Sequence, residues 1–272
     1  MAKIPISCFI IAKDEEDRIA RSIRSVRAWV DEVLVVDSES SDDTVGVAIA
    51  EGCRVITQPW LGFGAQKRFA EDQCRNNWVL NIDADEVVTP ELQREIIALF
   101  AHGPPRFVAY GMPLKMVYPG STKPRPFARD QWYIRLYDRS RVRFRNSAVH
   151  DSVVSDGHRV GRLNAPMHHF SMRSFSHMKR KLNERTWLLA ENASAASTGS
   201  LRPRLLSELP MNFFKYYVIR RHCMGGIKGL RYASIQASYR FLKIYRIWRA
   251  TSRRPKSTIA APSTSRRDVS GR

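Results

Sequence analysis

Short apolar runs alternate with amphipathic stretches through the first hundred positions. Ile4 to Ala12 reads as a strand centred on Cys8-Phe9-Ile10-Ile11. Lys13-Asp14-Glu15-Glu16-Asp17 then predicts a helix start, because carboxylates favour the first turn, and Ile19, Ile23, Val26 and Val30 continue at helical spacing. Glu32 to Asp37 is a second strand. A polar turn, Ser38 to Asp42, leads into a helix that Gly52 stops. Arg54 to Thr57 is a short third strand, and Ala65 to Arg75 reads as a helix. Trp78-Val79-Leu80-Asn81-Ile82 is a fourth, nearly uninterrupted apolar strand, and Pro90 opens a helix to about Phe100. Strands alternating with helices predict an α/β layer with a mainly parallel sheet.

Beyond residue 101 the period changes. Phe107 to Gly111, Gln131 to Asp138, Val142 to Phe144 and Ala148 to Val154 are expected to be strands that complete the sheet and add an acceptor-side layer. From Phe175 the chain turns helical again. Phe213, Phe214, Tyr217 and Val218 predict a short aromatic helix. Leu230, Ala233, Ala237, Phe241, Ile244 and Trp248 then form one apolar stripe flanked by Lys228, Arg231, Arg240, Lys243, Arg246 and Arg249. That stripe either packs on the protein or docks on a membrane surface. Thr251 to Arg272 is expected to be disordered.

Charge sharpens this division. Residues 1–100 hold 11 Lys+Arg and 18 Asp+Glu, net −7. Residues 101–272 hold 34 and 8, net +26. The basic part calls for an anionic partner: nucleic acid, anionic lipid or a phosphorylated substrate. Nucleic acid is not expected, because the charge is confined to the back half and no nucleic-acid motif accompanies it. Cys8, Cys53, Cys74 and Cys223 have no metal or redox spacing, which predicts a reducing compartment. The chain opens without a charged-then-apolar leader, and no run reaches the roughly 20 apolar residues of a spanning helix. A cytoplasmic protein, peripheral on the inner face of the membrane, is the expectation.

Candidate chemistry sits where the fourth strand ends. Asp83, Asp85 and Glu86 arrive within four positions of an apolar run, which is costly unless positive charge meets them. In open α/β sheets ligands bind beyond the carboxyl ends of strands. Asp-x-Asp there suits a hard divalent cation that also holds a diphosphate; a solvated helix-capping turn is the plainer alternative. Gly62-Phe63-Gly64 lacks the third glycine and the position of a dinucleotide fingerprint.

Three separated motifs, Phe9 to Glu16, Val35 to Thr44 and Asn81 to Glu86, resemble the nucleotide-sugar half of family 2 glycosyltransferases, which invert configuration and have the GT-A fold. Trp60 to Lys67 and Val149-His150-Asp151 resemble the subgroup that adds glucose to heptose in the lipopolysaccharide inner core. The resemblance implies a Rossmann-like, mainly parallel sheet flanked by helices, with basic C-terminal helices. Residues 1–175 would be the catalytic domain, with nucleotide-sugar binding in 1–100 and the acceptor side in 101–175. Residues 176–250 would be a basic helical extension, either packed on the protein or associated with a membrane. It further implies that Ile11 and Ala12 meet the nucleobase with Glu15 nearby, that Asp37 accepts from a uracil nitrogen, and that Asp83 reaches the ribose or a metal-bound water. Asp85 would ligate a divalent ion, Mg2+ or Mn2+, and His168 or His169 could add a ligand. Adjacent strand residues face opposite ways, so at most one of the two histidines does so, and His169 is the one expected. Lys67 would neutralise phosphate charge, unless it is an exposed helix lysine. Asp151 is the candidate base, with His150 beside it to orient a neighbour or touch the acceptor. Lys179, Arg180 and Lys181 would bind diphosphate or a phosphorylated acceptor, or else form a solvated helix face. Glu39 departs from the family pattern, which has a small residue or Gly there. The implied partners are a nucleotide-diphosphate sugar, UDP-glucose first, a lipid-linked glycan acceptor and an anionic membrane surface. Another polysaccharide or polyprenyl-linked acceptor is the alternative.

Overall fold

The computed structural model describes residues 3–128, 130–148, 151–191 and 201–252. The chain divides into two compact units, Met1–Phe175 with Met224–Lys228, and Ser176–Cys223 with Gly229–Arg272.

In the first unit the strands are β1 (Ile4–Ala12), β2 (Val30–Asp37), β3 (Arg54–Thr57), β4 (Trp78–Asn81), β5 (Glu86–Val88), β6 (Ala109–Met116), β7 (Gln131–Asp138), β8 (Arg143–Phe144), β9 (Val153–Val154), β10 (Gly161–Arg162) and β11 (Met167–His169). The main sheet runs β3-β2-β1-β4-β7-β6-β11-β5, with β10 beside β6, and β8–β9 form a separate hairpin. Strands β3, β2, β1 and β4 are parallel, whereas β7 joins both β4 and β6 antiparallel. Of the stretches after 101, Phe107 to Gly111 and Gln131 to Asp138 enter the sheet as β6 and β7, whereas Val142 to Phe144 and the described part of Ala148 to Val154 form only the short β8–β9 hairpin outside it, and the sheet is completed by β10, β11 and β5 instead. The architecture is the mixed α/β layer, with mostly parallel strands flanked by helices, that the resemblance implies.

The period of two sorts β1 between the faces. Ile6, Cys8, Ile10 and Ala12 join Ile19 and Ile23 of α1 (Ile19–Arg24), Ala48 of α2 (Thr44–Ala50) and Leu92 and Ile96 of α4 (Pro90–Phe100) in one core. Phe9 enters the opposite core with Ala70 of α3 (Phe63–Asp72), Tyr137 and Phe144. The four cysteines are free thiols. Cys8 and Cys74 are buried, and burial pushes Cys53 up to about 11 and Cys74 up to about 12.

Several expected helix ends are displaced: α1 stops at Arg24 and Val30 already belongs to β2, although helical spacing ran to Val30, and α3 ends at Asp72 rather than Arg75. The stretch 13–17 does not start a helix; α1 begins only at Ile19. Asp14 turns at φ 54°, and the amides of Asp14, Glu15 and Glu16 donate to Ser40 Oγ, Thr44 Oγ1 and Asp42 Oδ2. In return Ser41 and Asp43 donate to the Asp14 and Glu16 carboxylates. The acids cap a neighbouring loop rather than their own helix. Helix α3 starts two residues early, at Phe63, because Gly62, at φ 97°, lets the chain turn against residues 147–148. There Phe63 N–H donates to Ala148 O at 3.2 Å, and Gly64 N–H to Ser147 O at 3.0 Å.

The second unit holds α5 (Phe175–Glu191, whose first residue lies in the first unit), α6 (Leu201–Phe214), a wide π turn over Lys215–Ile219 and most of α7 (Gly226–Ser252). The π turn stands where a short aromatic helix is expected. Arg246 of α7 donates to Asn183 O at 2.9 Å and Oδ1 at 2.7 Å and stacks over Trp187 of α5 at 4.1 Å. Ala233, Ala237 and Ile244 of the α7 stripe are buried. No helix among the described residues is long and apolar enough to cross a membrane. The tail expected to be disordered lies, beyond Ser252, outside the described residues.

Gly62 supplies a test of the α3 junction. A Cβ there would stand 2.4 Å from Ala148 Cα, on a backbone conformation that L side chains avoid. Gly62→Ala is expected to cost at least about 2 kcal/mol of stability, read by urea unfolding.

Candidate active site

The parallel strands β1, β2 and β4 end on one edge of the sheet, and the carboxylates Asp37, Asp83, Asp85 and Glu86 lie at or just after those ends. Alternation within β4 buries Asn81 beside Phe9, and the chain then reverses through residues 83–86. The turn closes on itself: Glu86 N–H donates to Asp83 O, and Asp83 N–H donates to Glu86 Oε2, both at 2.9 Å.

Burying these acids requires cations. Arg135 of β7 supplies one. Its Nη1 donates to Asn81 Oδ1 at 2.6 Å, and its Nη2 reaches Glu86 Oε1 at 2.6 Å and Asp83 Oδ2 at 3.0 Å. Arg135 Nε is buried and has no hydrogen-bond partner among the described residues. Lys67 of α3 supplies the second cation. Its side chain is 1% exposed, so the exposed-lysine alternative is excluded, and its Nζ lies 2.9 Å from both Asp83 Oδ1 and Asp151 Oδ2. Burial alone would raise Asp83, but Lys67 and Arg135 outweigh it and hold the carboxyl far below the usual carboxylate range. Burial pushes Glu86 up to about 7, with Arg135 opposing and Asp83 reinforcing the rise.

Asp85 belongs to a different set of contacts. His169 stands opposite Glu86 in the β5–β11 pair, and its Nε2 lies 3.4 Å from Asp85 Oδ2. Phe170 N–H donates to Asp85 O at 2.8 Å. Burial opposes ionisation of both side chains, yet the mutual hydrogen bond and charge keep Asp85 low and His169 high. His168 lies instead against the Phe170 ring, as alternation along a strand requires. Arg18 Nη1 also approaches Asp85 Oδ2, at 3.4 Å, and its guanidinium pairs with Glu15. Arg173 reaches Glu15 at 3.1 Å and Asp17 at 2.8 Å.

Asp37 is buried, and its carboxylate accepts from the amide and hydroxyl of Ser40. Ala12 O accepts from Ser38 N–H at 2.8 Å, and Ile11 is half-buried beside it. Glu39 stands at φ 59°, a conformation glycine adopts without strain, which accounts physically for the small residue expected there. Lys179 and Lys181 are exposed on α5 in the second unit. His150 lies outside the described residues. The structure thus gathers Lys67, Asp83 and Asp151 into one cluster and Asp85 with His169 into another.

A cavity of about 380 Å³ opens over both, lined by Asp83, Glu86, Tyr133, Arg135, Asp151 and His169 among others. Asp85 and His169, a carboxylate and an imidazole 3.4 Å apart with His169 at the cavity wall, suit a divalent ion whose other ligands are substrate oxygens. Among the described residues no group of three or more His, Cys, Asp or Glu could hold an ion unaided. Arg135, Arg18 and Arg173 have no counterpart in the sequence reading. The available signal was Arg135 itself, a charge between Ile134 and Leu136 in an apolar strand, where it must be paired.

The sequence profile of Glycosyl transferase family 2 matches residues 7–164. The chain belongs to that family. This glycosyltransferase is 42% identical to an uncharacterized glycosyltransferase of Rickettsia typhi over 94% of its own length and 90% of the relative's. It is 28% identical to the lipopolysaccharide core biosynthesis glycosyltransferase LpsC of Rhizobium meliloti, over 90% and 93% of the two chains. Among solved structures it is similar to glucosyl-3-phosphoglycerate synthase from Mycobacterium tuberculosis, crystallised with Mn2+, uridine diphosphate and phosphoglyceric acid. That match has 28% identity, covers 43% of this chain and 44% of the other, and has a TM-score of 0.33.

The raised Glu86 makes the glycosyltransferase's stability pH-dependent. The unfolded chain loses this proton near pH 4.5 and the folded one near 7, so stability falls as pH rises through that window. Glu86→Gln is expected to flatten the decline, by up to about 3 kcal/mol, in urea titrations at pH 4.5 and 7.5.

Proposed function

We propose that the enzyme transfers glucose, with inversion, from UDP-glucose to a lipid-linked glycan of the lipopolysaccharide core type. The carrying observation is Lys67 Nζ, which joins Asp83 and Asp151 at 2.9 Å each beside the cavity. It ties the donor-side carboxylate to the candidate base. The name of LpsC and its match along most of both chains support the lipopolysaccharide core as acceptor class.

In this reading residues 1–100 hold the nucleotide sugar. Asp37 and the backbone of Ile11 and Ala12 face the base, with Glu15 nearby, and Asp83 faces the ribose. Asp85 and His169 would hold a divalent cation, Mg2+ or Mn2+, whose charge stabilises the departing diphosphate. Residues 101–175 form the acceptor side. Lys67 holds Asp151 Oδ2, and Asp151 Oδ1 takes the proton of the acceptor hydroxyl. The acceptor oxygen bonds to the anomeric carbon as the bond from that carbon to the diphosphate breaks, and a single displacement inverts the centre. The unpartnered Arg135 Nε at the same cavity supports a polar acceptor group there. His150 would touch the acceptor or orient a neighbour. Lys179 and Lys181, on the basic extension 176–250, would meet phosphate groups. The enzyme would work at the anionic inner face of the cytoplasmic membrane.

Two measurements test the assignments. Asp85→Asn is expected to abolish the manganese-dependent thermal stabilisation by UDP-glucose while the melting temperature without ligand holds. Unchanged turnover in that variant removes Asp85 from the ion site. Asp151→Asn is expected to bind donor normally and to lose on the order of 10²–10⁴ in transfer rate to a purified core acceptor. Transfer within a few-fold of the parent places the base elsewhere.

A further inference from the structure

The exposed large apolar side chains of the second unit concentrate in one segment. On α6, Leu206 is 87% exposed, Met211 65%, Phe214 55% and Leu209 43%; the π turn adds Ile219 at 65% and Val218 at 45%. At about 100° per residue, Leu209, Leu206, Pro210, Phe214 and Met211 sweep an arc of about 200°, within which Phe213 and Ser207 are half-buried. Leu205, Glu208 and Asn212, on the remaining side, are half-buried. A helix that only packs on its own protein needs a stripe of roughly 100°.

Charge selects what covers this arc. Arg202 and Arg204 precede it, Lys215 lies within the π turn, and Arg220 and Arg221 follow. Over residues 176–252 there are 15 Lys+Arg against 3 Asp+Glu. A second copy docked through the same face would bring like charges against each other, whereas an anionic bilayer offers acyl chains to the apolar arc and opposite charge to a net-positive segment. Residues 205–219 are about 22 Å long as a helix, short of the roughly 30 Å needed to span. The α7 stripe is a weaker candidate, because Ala233, Ala237 and Ile244 are already covered.

We propose that α6 and its π turn are the membrane-entry element, lying in the plane of an anionic bilayer interface with Leu206, Met211, Phe214 and Ile219 among the acyl chains. The proposal deepens the membrane-bound acceptor reading and rests on it for its purpose.

Vesicle co-sedimentation tests it with the full chain. Binding is expected to phosphatidylglycerol-containing vesicles, weakened by salt, and not to pure phosphatidylcholine. The triple variant Leu206→Ser, Met211→Ser, Phe214→Ser is expected to lose at least tenfold in bound fraction, with melting temperature and UDP-glucose stabilisation unchanged. A Leu206→Cys variant in a Cys223→Ser background, labelled with an environment-sensitive dye, is expected to blue-shift on anionic vesicles even if the triple variant folds poorly. Parental binding by the triple variant overturns the proposal, as does equal binding to neutral vesicles or an unshifted dye. So does a solution dimer of the parent that the triple variant dissolves. Loss of UDP-glucose stabilisation in the parent, with vesicle binding intact, would instead remove the donor reading and leave this one standing.

Discussion

Compensation of buried negative charge is the constraint around which the catalytic unit is organised. Asp83 and Glu86 follow an apolar strand into a partly water-excluded place, where an unpaired carboxylate would be costly. Lys67 and Arg135 arrive from two other elements, α3 and β7, to meet them. Neither cation stands free in solvent, and Asp83 lies between them. Removing one partner of such a cluster leaves its counterpart buried and unpaired, so the cluster specifies how α3, β4 and β7 meet as well as the chemistry.

The same cations reach outward. Lys67 continues from Asp83 to Asp151, and α3 also takes hold of the segment before Asp151 through backbone hydrogen bonds at Ser147 and Ala148. Glycine at position 62 allows that approach. The element that neutralises the donor-side carboxylate therefore also positions the candidate base. On the other flank, His169 and Arg18 face Asp85, and Arg18 and Arg173 converge on Glu15. The acidic loops of the front half are thus interlocked by cations and by each other's amides.

The basic surplus of the back half has two destinations. Part of it is spent internally, as where Arg246 holds Asn183 and stacks on Trp187. Another part, Arg202, Arg204, Lys215, Arg220 and Arg221, lies in sequence around the exposed apolar arc on α6. Charge and hydrophobicity share one segment there, and that combination separates an interfacial helix from a merely solvated one.

Periodicity alone determined most of the first unit. β1, β3, β7 and α4 stand within their expected bounds, because an apolar run bounded by turn residues and a capped amphipathic helix carry their own signals. The local carboxylates of residues 83–86 were legible for the same reason: acids after an apolar strand are anomalous within a few residues. What pairs with them was not. Lys67 and Asp151 are 84 positions apart, and no local pattern distinguishes a lysine on α3 that points inward from one that points to water. Arg135 was detectable as a buried charge, but not its partners. Residues 13–17 look like a helix start, yet their amides found stronger acceptors on a loop 26 to 29 residues away. The apolar stripe on α7 is legible in sequence, whereas on α6 and the turn after it only the aromatic cluster Phe213, Phe214, Tyr217 and Val218 stands out. Only the tertiary packing decided that half of the α7 stripe is buried, at Ala233, Ala237 and Ile244, while the apolar arc on α6 stays largely exposed, because burial depends on what else occupies the same space, and the hydrophobic period does not record that.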